Sequence, residues 1–172
     1  LKLGRITRPL LPPRLAEKLP AATPAAGAWP APRHSRRMLA LAGCVQPALS
    51  PDINAAAARV LDRIGISLIE AKGAGCCGAL RFHLNYQGEG LADMRALIDR
   101  WWPLVEAGAE AIVMTASGCG VTVKEYGHFL RHDALYAAKA ERISAMTRDI
   151  SEVIEAEFAR IEPRLDKSRQ RV

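Results

Sequence analysis

Three short apolar runs, each leading into a loop that contains glycine and cysteine, constrain the fold of this chain most strongly. The runs span residues 38–42, 66–71 and 111–115, and their length and composition predict buried β-strands. Helices are predicted between them, over residues 51–64 and 91–105, and two more follow over residues 135–143 and 150–161. This alternation predicts an α/β fold: a small three-layer domain with a short parallel sheet of three strands and flanking helices.

The four cysteines of the chain all fall in the loops that follow these strands. Cys44 follows the first strand, the adjacent Cys76 and Cys77 follow the second, and Cys119 follows the third. The carboxyl ends of parallel strands share one edge of a sheet, and such folds bind their ligands at that edge. We therefore expect four sulfur atoms that are far apart in sequence to meet in one place.

Glycines flank every cysteine and are the predicted cofactor-binding residues: Gly43, Gly75, Gly78, Gly118 and Gly120. They would let the backbone approach a cofactor closely, donate N–H···S hydrogen bonds and adopt positive φ angles. Cys119 precedes a predicted helix, whose amino terminus would stabilise a thiolate. Adjacent cysteines are awkward ligands for one tetrahedral ion, so the pattern favours a cluster of several metal ions.

Other interpretations of the cysteines stay open at this point. Free cysteine is among the most buried residue types, so each could simply fill the core. Four sulfurs also suit a structural zinc ion, although the sequence lacks the usual Cys-x-x-Cys knuckles. Disulfides are less favoured because no secretion signal is readable. Thiol–disulfide chemistry at the vicinal pair is a further alternative.

The distribution of charge argues against a nucleic-acid partner. The formal net charge is +6, but residues 1–40 carry eight Lys or Arg against one acid, whereas residues 41–172 carry sixteen against seventeen. The excess lies largely in a proline-rich arm or linker, predicted over residues 1–35. Arg33, Arg36 and Arg37 could touch a partner subunit or an anionic lipid surface.

The remaining boundaries follow from composition. A cysteine-rich domain is predicted over residues 36–162 and a polar tail over residues 163–172. No apolar run is long enough to span a membrane, and we expect a cytoplasmic location. The chain begins at Leu1 rather than Met, which suggests that an upstream part is missing.

Residues 73–78 match the glycine fingerprint of dinucleotide-binding folds and follow a predicted strand. That motif should open a helix at once, whereas residues 79–90 are predicted to form a loop. The match is therefore interpreted as accidental. His83 in this loop is a candidate extra ligand or proton carrier, and Lys124 a candidate electrostatic influence on a cluster, although both suit ordinary surface roles.

Three segments together resemble a known family: residues 43–47 (GCVQP), residues 74–79 (AGCCGA), and residues 115–120 (TASGCG) with residues 123–127 (VKEYG). They are similar to the first cysteine-rich (CCG) repeat of glycolate oxidase iron–sulfur subunits. The similarity spans most of residues 36–155 and includes residues 54–56 and 98–103. The cysteine-rich subunit of heterodisulfide reductase belongs to the same wider family.

The resemblance implies that Cys44, Cys76, Cys77 and Cys119 are metal ligands of an iron–sulfur cluster, of [4Fe–4S] type and noncubane in some family members. It implies an electron-transfer component of a glycolate-oxidising oxidoreductase, with the chemistry on a flavin-containing partner subunit. This chain alone would not be catalytic, and its acceptor could be a quinone or lie at the inner face of the membrane. The alternatives are a zinc-binding or metal-free interaction module and a heterodisulfide-reductase-like thiol/disulfide subunit.

Overall fold

The computed structural model describes residues 6–18 and 22–165, and within them a parallel sheet organises the chain. Its strands are β1 (Arg36–Ala40), β2 (Ile66–Glu70), β3 (Ile112–Met114) and β4 (Thr147–Asp149), in the spatial order β2-β1-β3-β4. The three strand pairings in the sheet are parallel. The predicted α/β class with a short parallel sheet is therefore confirmed.

The strand count of three was wrong, because β4 had not been predicted. This edge strand has only three residues, Thr147, Arg148 and Asp149, of which two are charged. It pairs with β3 through the register Ile112↔Thr147. A segment so short and polar carries neither the apolar run nor the alternation that identifies a strand in a sequence.

Ten helices are assigned in the described residues. They are α1 (Pro13–Ala16), α2 (Gln46–Leu49), α3 (Asp52–Arg63), α4 (Ala79–His83), α5 (Gln87–Glu106), α6 (Ser117–Lys124), α7 (Tyr126–Phe129), α8 (Ala137–Met146), α9 (Ile150–Ala156) and α10 (Phe158–Ile161), with short 3-10 turns at Arg8–Leu10 and Glu162–Arg164. The predicted loop over residues 79–90 was wrong, since it contains α4 and the start of α5. Within the described residues, no helix combines the length and apolar character needed to cross a membrane.

The sheet separates two apolar clusters, which makes the fold three layers thick. Successive residues of a strand point to opposite faces, so Leu39 joins one cluster while Met38 joins the other. Helix α5 contributes Trp101 to the first cluster, and helix α3 contributes Leu61 to the second. Packing on both faces holds the sheet in place, and the cysteine loops leave it at one edge.

Part of the proline-rich arm lies against the edge strand β2. The Trp29 indole N–H donates to the Leu68 carbonyl at 3.0 Å. The backbone N–H groups of Arg33 and His34 each donate to the Ser67 hydroxyl at 3.0 Å. The domain limits at residues 35 and 162 remain predictions, and residues 1–5, 19–21 and 166–172 of the predicted arm and tail lie outside the described residues.

Candidate metal centre

The four cysteines line one cavity at the carboxyl edge of the sheet, with a volume of about 470 Å³. Cys44, Cys76 and Cys119 lie four, six and five residues beyond the ends of β1, β2 and β3. The parallel topology therefore brings together sulfurs that are up to 75 positions apart in sequence. Three of the cysteines follow strands as loop residues, but Cys119 lies inside the first turn of α6, so the prediction that it precedes the helix was wrong.

The thiols form two pairs across the cavity, Cys44 with Cys76 and Cys77 with Cys119. The hydrogen bond shared with Cys119, followed by burial, raises the pKa of Cys77, and the same bond lowers the pKa of Cys119. The two pKa shifts run in opposite directions because the two thiols share one hydrogen bond. Partial burial and then the Cys76 thiol raise the pKa of Cys44, although that residue as a whole is exposed.

Backbone groups hold the vicinal pair in place. The Gly78 N–H donates to the Cys76 sulfur at 3.4 Å, and the Ala79 N–H donates to the Cys77 sulfur. The hydroxyl of Tyr126, a fully buried residue of α7, donates to the Cys77 carbonyl at 2.7 Å. The adjacent sulfurs thus face different partners, which suits ligands of different metal ions in one cluster.

The glycines beside the cysteines do not share one role. Gly43 and Gly78 have φ angles of 75° and 82°, so a residue with a side chain would be strained there. A Cβ at Gly75 or Gly118 would meet no atom within 4 Å. A Cβ at Gly120 would lie 3.3 Å from the Met114 side chain, so this glycine lets α6 pack against β3. Their predicted contact with a cofactor remains a prediction.

His83 and Lys124 differ in their relation to the cavity. His83 lines it and is exposed at its rim. Lys124 forms an ion pair with Glu152 at 2.7 Å and does not line the cavity. No carboxylate lines the cavity among the described residues.

The dinucleotide fingerprint remains an accidental match for a new reason. A helix does open directly after Gly78, but α4 is only five residues long. The next strand, β3, ends at Met114 and is followed by Thr115 rather than an acid. The ribose-binding carboxylate of such folds therefore has no counterpart at this strand end.

The donor set fits a cluster better than a single ion. Among residues 6–18 and 22–165, no three His, Cys, Asp or Glu side chains converge closely enough to hold one metal ion. A tetrahedral zinc needs four sulfurs about 2.3 Å from one point. Two thiol pairs on the walls of a cavity of about 470 Å³ instead suit several metal ions bridged by inorganic sulfide.

Two supporting groups had not been predicted. Tyr126 holds the Cys77 carbonyl, and Asn54 of α3, 5% exposed, donates to the Leu41 carbonyl just before the Cys44 loop. Asn54 did leave a signal in the sequence, because it occupies the same helix face as the buried Ala58 and Leu61. A polar residue on an apolar helix face indicates a buried hydrogen-bond partner.

The sequence is similar to a known domain family and to several bacterial proteins. Residues 38–124 match the profile of the cysteine-rich domain family, CCG. The chain is 56% identical over 156 residues to the glycolate oxidase iron-sulfur subunit of Escherichia coli K12, covering 91% of this chain and 38% of that protein.

More distant relatives come from bacilli. Identity is 25% over 111 residues to lactate utilization protein A of Bacillus licheniformis, covering 64% of this chain and 44% of that protein. Identity is also 25% over 132 residues to the probable glycolate oxidase iron-sulfur subunit of Bacillus subtilis, covering 76% of this chain and 29% of that protein. The chain thus spans less than half the length of each of these relatives.

Proposed function

Because this chain belongs to the cysteine-rich domain family, we propose that it is an iron–sulfur electron-transfer component of a glycolate-oxidising complex. The convergence of all four cysteines on one cavity carries the proposal. The name and 56% identity of the Escherichia coli relative support glycolate as the substrate of the whole complex. Cys44, Cys76, Cys77 and Cys119 are the proposed ligands of a [4Fe–4S] cluster.

The protein supplies binding and electrostatics at this site. An iron–sulfur cluster held here would accept and release single electrons. The lowered pKa of Cys119 favours the thiolate form that metal binding requires. Backbone N–H groups of Gly78 and Ala79 donate to sulfur and would partly offset the negative charge of a cluster.

Glycolate oxidation itself is assigned to a partner. The described residues that line the cavity are thiols, glycine, apolar side chains and one imidazole, which provide no paired acid and base for removing hydrogen from a hydroxy acid. We propose a flavin-containing subunit as the electron source and a quinone or another acceptor at the membrane surface as the sink. The proposed location is the cytoplasm, including the inner face of the membrane.

Iron and acid-labile sulfide analysis of the anaerobically purified chain tests the cluster. We expect iron and sulfide in equal amounts, an electron paramagnetic resonance signal in one oxidation state, and loss of most iron in each of the variants Cys44→Ser, Cys76→Ser, Cys77→Ser and Cys119→Ser. Ser117→Ala is the control, because Ser117 is exposed in the same helical turn as Cys119 and its hydroxyl donates to Asp149. It should keep the cluster.

The same samples separate the alternatives. Stoichiometric zinc without sulfide would contradict the proposal and support a structural zinc module. Chelation of the cluster should release four titratable thiols. A chain that yields fewer thiols, with no cluster to account for the missing ones, would point to disulfide chemistry instead.

A further inference from the structure

Three side chains next to the metal centre form a directed chain of hydrogen bonds. The Gln46 amide N–H donates to the Thr115 hydroxyl at 2.8 Å. The Thr115 hydroxyl donates to the Asn54 side-chain oxygen at 2.5 Å, and the Asn54 amide N–H donates to the Leu41 carbonyl at 2.8 Å. Each hydroxyl or amide hydrogen is used once in this order, so the three bonds can form together and strengthen one another.

The chain of hydrogen bonds connects the loops that carry two of the proposed ligands. Gln46 lies two residues after Cys44, and Leu41 lies three residues before it, so both ends of the chain hold the Cys44 loop. Thr115, in the middle, directly follows β3 and begins the loop to Cys119. Asn54 also donates to Glu70 at the end of β2, at 3.3 Å. Three strand ends therefore share one buried amide.

These side chains also lie beside the sulfurs in space. Gln46 and Thr115 line a second cavity of about 300 Å³, whose wall includes Cys44 and Cys119. Asn54 is 5% exposed within an otherwise apolar helix face, where an amide without hydrogen-bond partners would destabilise the fold. An asparagine at this buried position of α3 is therefore favourable only while it keeps its hydrogen bonds to the two cysteine loops.

We infer that Asn54, Thr115 and Gln46 are positioning residues that set the separation between the Cys44 and Cys119 sulfurs, an inference that rests on the proposed function. The hydrogen-bond chain fixes both loops to one rigid helix, so the geometry of the cluster and its retention depend on it. Polar groups that orient metal ligands in this way commonly change metal affinity about 10–100-fold when removed.

Thr115→Val tests the inference, because valine keeps the shape of threonine and removes both hydrogen bonds of the hydroxyl. In the full chain loaded with its cluster, we expect iron loss to a chelator to become about tenfold faster and the paramagnetic resonance spectrum of the cluster to change. Thr115→Ser restores the hydroxyl and should restore both properties.

The matched control is Thr147→Val. Thr147 is fully buried whereas Thr115 is half-buried, and the Thr147 hydroxyl donates to the Ile143 carbonyl at 2.8 Å. Thr147 lies at the amino end of β4, away from the carboxyl ends of the strands where the cysteine loops begin. This variant should melt at a lower temperature with an unchanged spectrum and unchanged rate of iron loss. A Thr115→Val protein that matches Thr147→Val in these respects would show that the chain of hydrogen bonds serves stability alone.

A second variant keeps the test decisive if Thr115→Val does not fold. Gln46→Met removes the first donor from a half-buried position and should also accelerate iron loss, whereas an unchanged rate and spectrum would overturn the inference. Failure of the unaltered chain to hold iron and sulfide would remove the proposed function and this inference together. If the unaltered chain holds the cluster and the variants match it in rate of iron loss and in spectrum, the inference is overturned and the proposed function stands.

Discussion

The Tyr126 hydroxyl is the side-chain group that most directly fixes the vicinal cysteines. Its donation to the Cys77 carbonyl at 2.7 Å joins α7 to the loop after β2. Burial is the main cause that raises the pKa of Tyr126 well above its usual value, so the hydroxyl keeps its proton and remains a donor at moderately alkaline pH. The ring itself is fully buried in the first apolar cluster.

Tyr126→Phe should lower the free energy of unfolding by about 1–2 kcal/mol, because the buried Cys77 carbonyl loses its donor while the ring still fills the core. The same variant should alter the paramagnetic resonance spectrum of the loaded chain. Tyr136→Phe is the matched control, since the Tyr136 hydroxyl donates to exposed Asp99 at 2.8 Å. It should change stability by no more than about 0.5 kcal/mol. Equal effects in urea denaturation would refute the special role of Tyr126.

At the scale of elements, helices α4 and α5 approach each other through two glycines. A Cβ at Gly78 would lie 2.5 Å from the Gly90 carbonyl oxygen, and a Cβ at Gly90 would lie 2.9 Å from the Phe82 nitrogen. Gly78 also has a φ of 82°. Because Cys76 and Cys77 directly precede Gly78, this close helix contact determines where the vicinal pair stands above the sheet.

Gly78→Ala should therefore lower the free energy of unfolding by at least about 2 kcal/mol, from backbone strain and the collision with Gly90. Gly88→Ala provides the comparison, since a Cβ there meets no atom within 4 Å and its φ is not positive. That variant should be neutral or slightly stabilising in thermal denaturation. A Gly78→Ala protein as stable as Gly88→Ala would show that the contact carries no strain.

The elements that sequence analysis predicted are those with a long or strongly apolar pattern. Strands β1 to β3 and helices α3 and α5 were found with ends displaced by a few residues; α5, for example, begins at Gln87 rather than Leu91. Helix α4 and strand β4 are two of the short elements that were missed. Both are no more than five residues long, and tertiary contacts such as the Gly78–Gly90 approach stabilise α4 more than its own sequence does.

At the scale of the whole molecule, arginines at and just before the start of β1 form ion pairs within the fold. Arg36 contacts Glu110 at 2.8 Å and Glu157 at 2.7 Å, which joins the start of β1 to residues before β3 and after α9. Arg33 pairs with Asp62. The contact of Arg33, Arg36 and Arg37 with a partner subunit or a lipid surface stays a prediction.

The stability of the folded chain should fall below pH 4 partly through Glu157. Its hydrogen bond with Arg36 lowers its pKa below the unfolded value of about 4.3. The ion pair thus contributes fully above that value and is lost as pH falls through the folded pKa. Glu157→Gln should cost up to about 1 kcal/mol at pH 7 and much less at pH 3 in urea denaturation.

Exposed Glu155 serves as the control for this titration. Glu155→Gln should leave the dependence of stability on pH nearly unchanged. If Glu157→Gln lowers the free energy of unfolding as much at pH 3 as at pH 7, the ion pair is not the cause of that loss.

The sequence predicts which cysteines form the candidate metal centre, but not how their sulfur atoms are arranged. Topology places Cys44, Cys76 and Cys119 at one edge as soon as the sheet is known to be parallel. The pairing of their thiols and the bond between Thr115 and Asn54 depend on side chains far apart in the chain, 61 positions in the case of that bond. Local patterns do not encode such contacts, and only the folded packing specifies them.

The contact between Trp29 and the edge strand has a consequence for association of the folded chain. An open strand edge offers unpaired carbonyl and N–H groups to any other extended chain, and β2 is such an edge. The indole occupies the Leu68 carbonyl, and neighbouring backbone groups of the arm occupy the Ser67 hydroxyl. The proline-rich segment thereby covers part of this edge and leaves fewer positions of β2 open to intermolecular sheet extension.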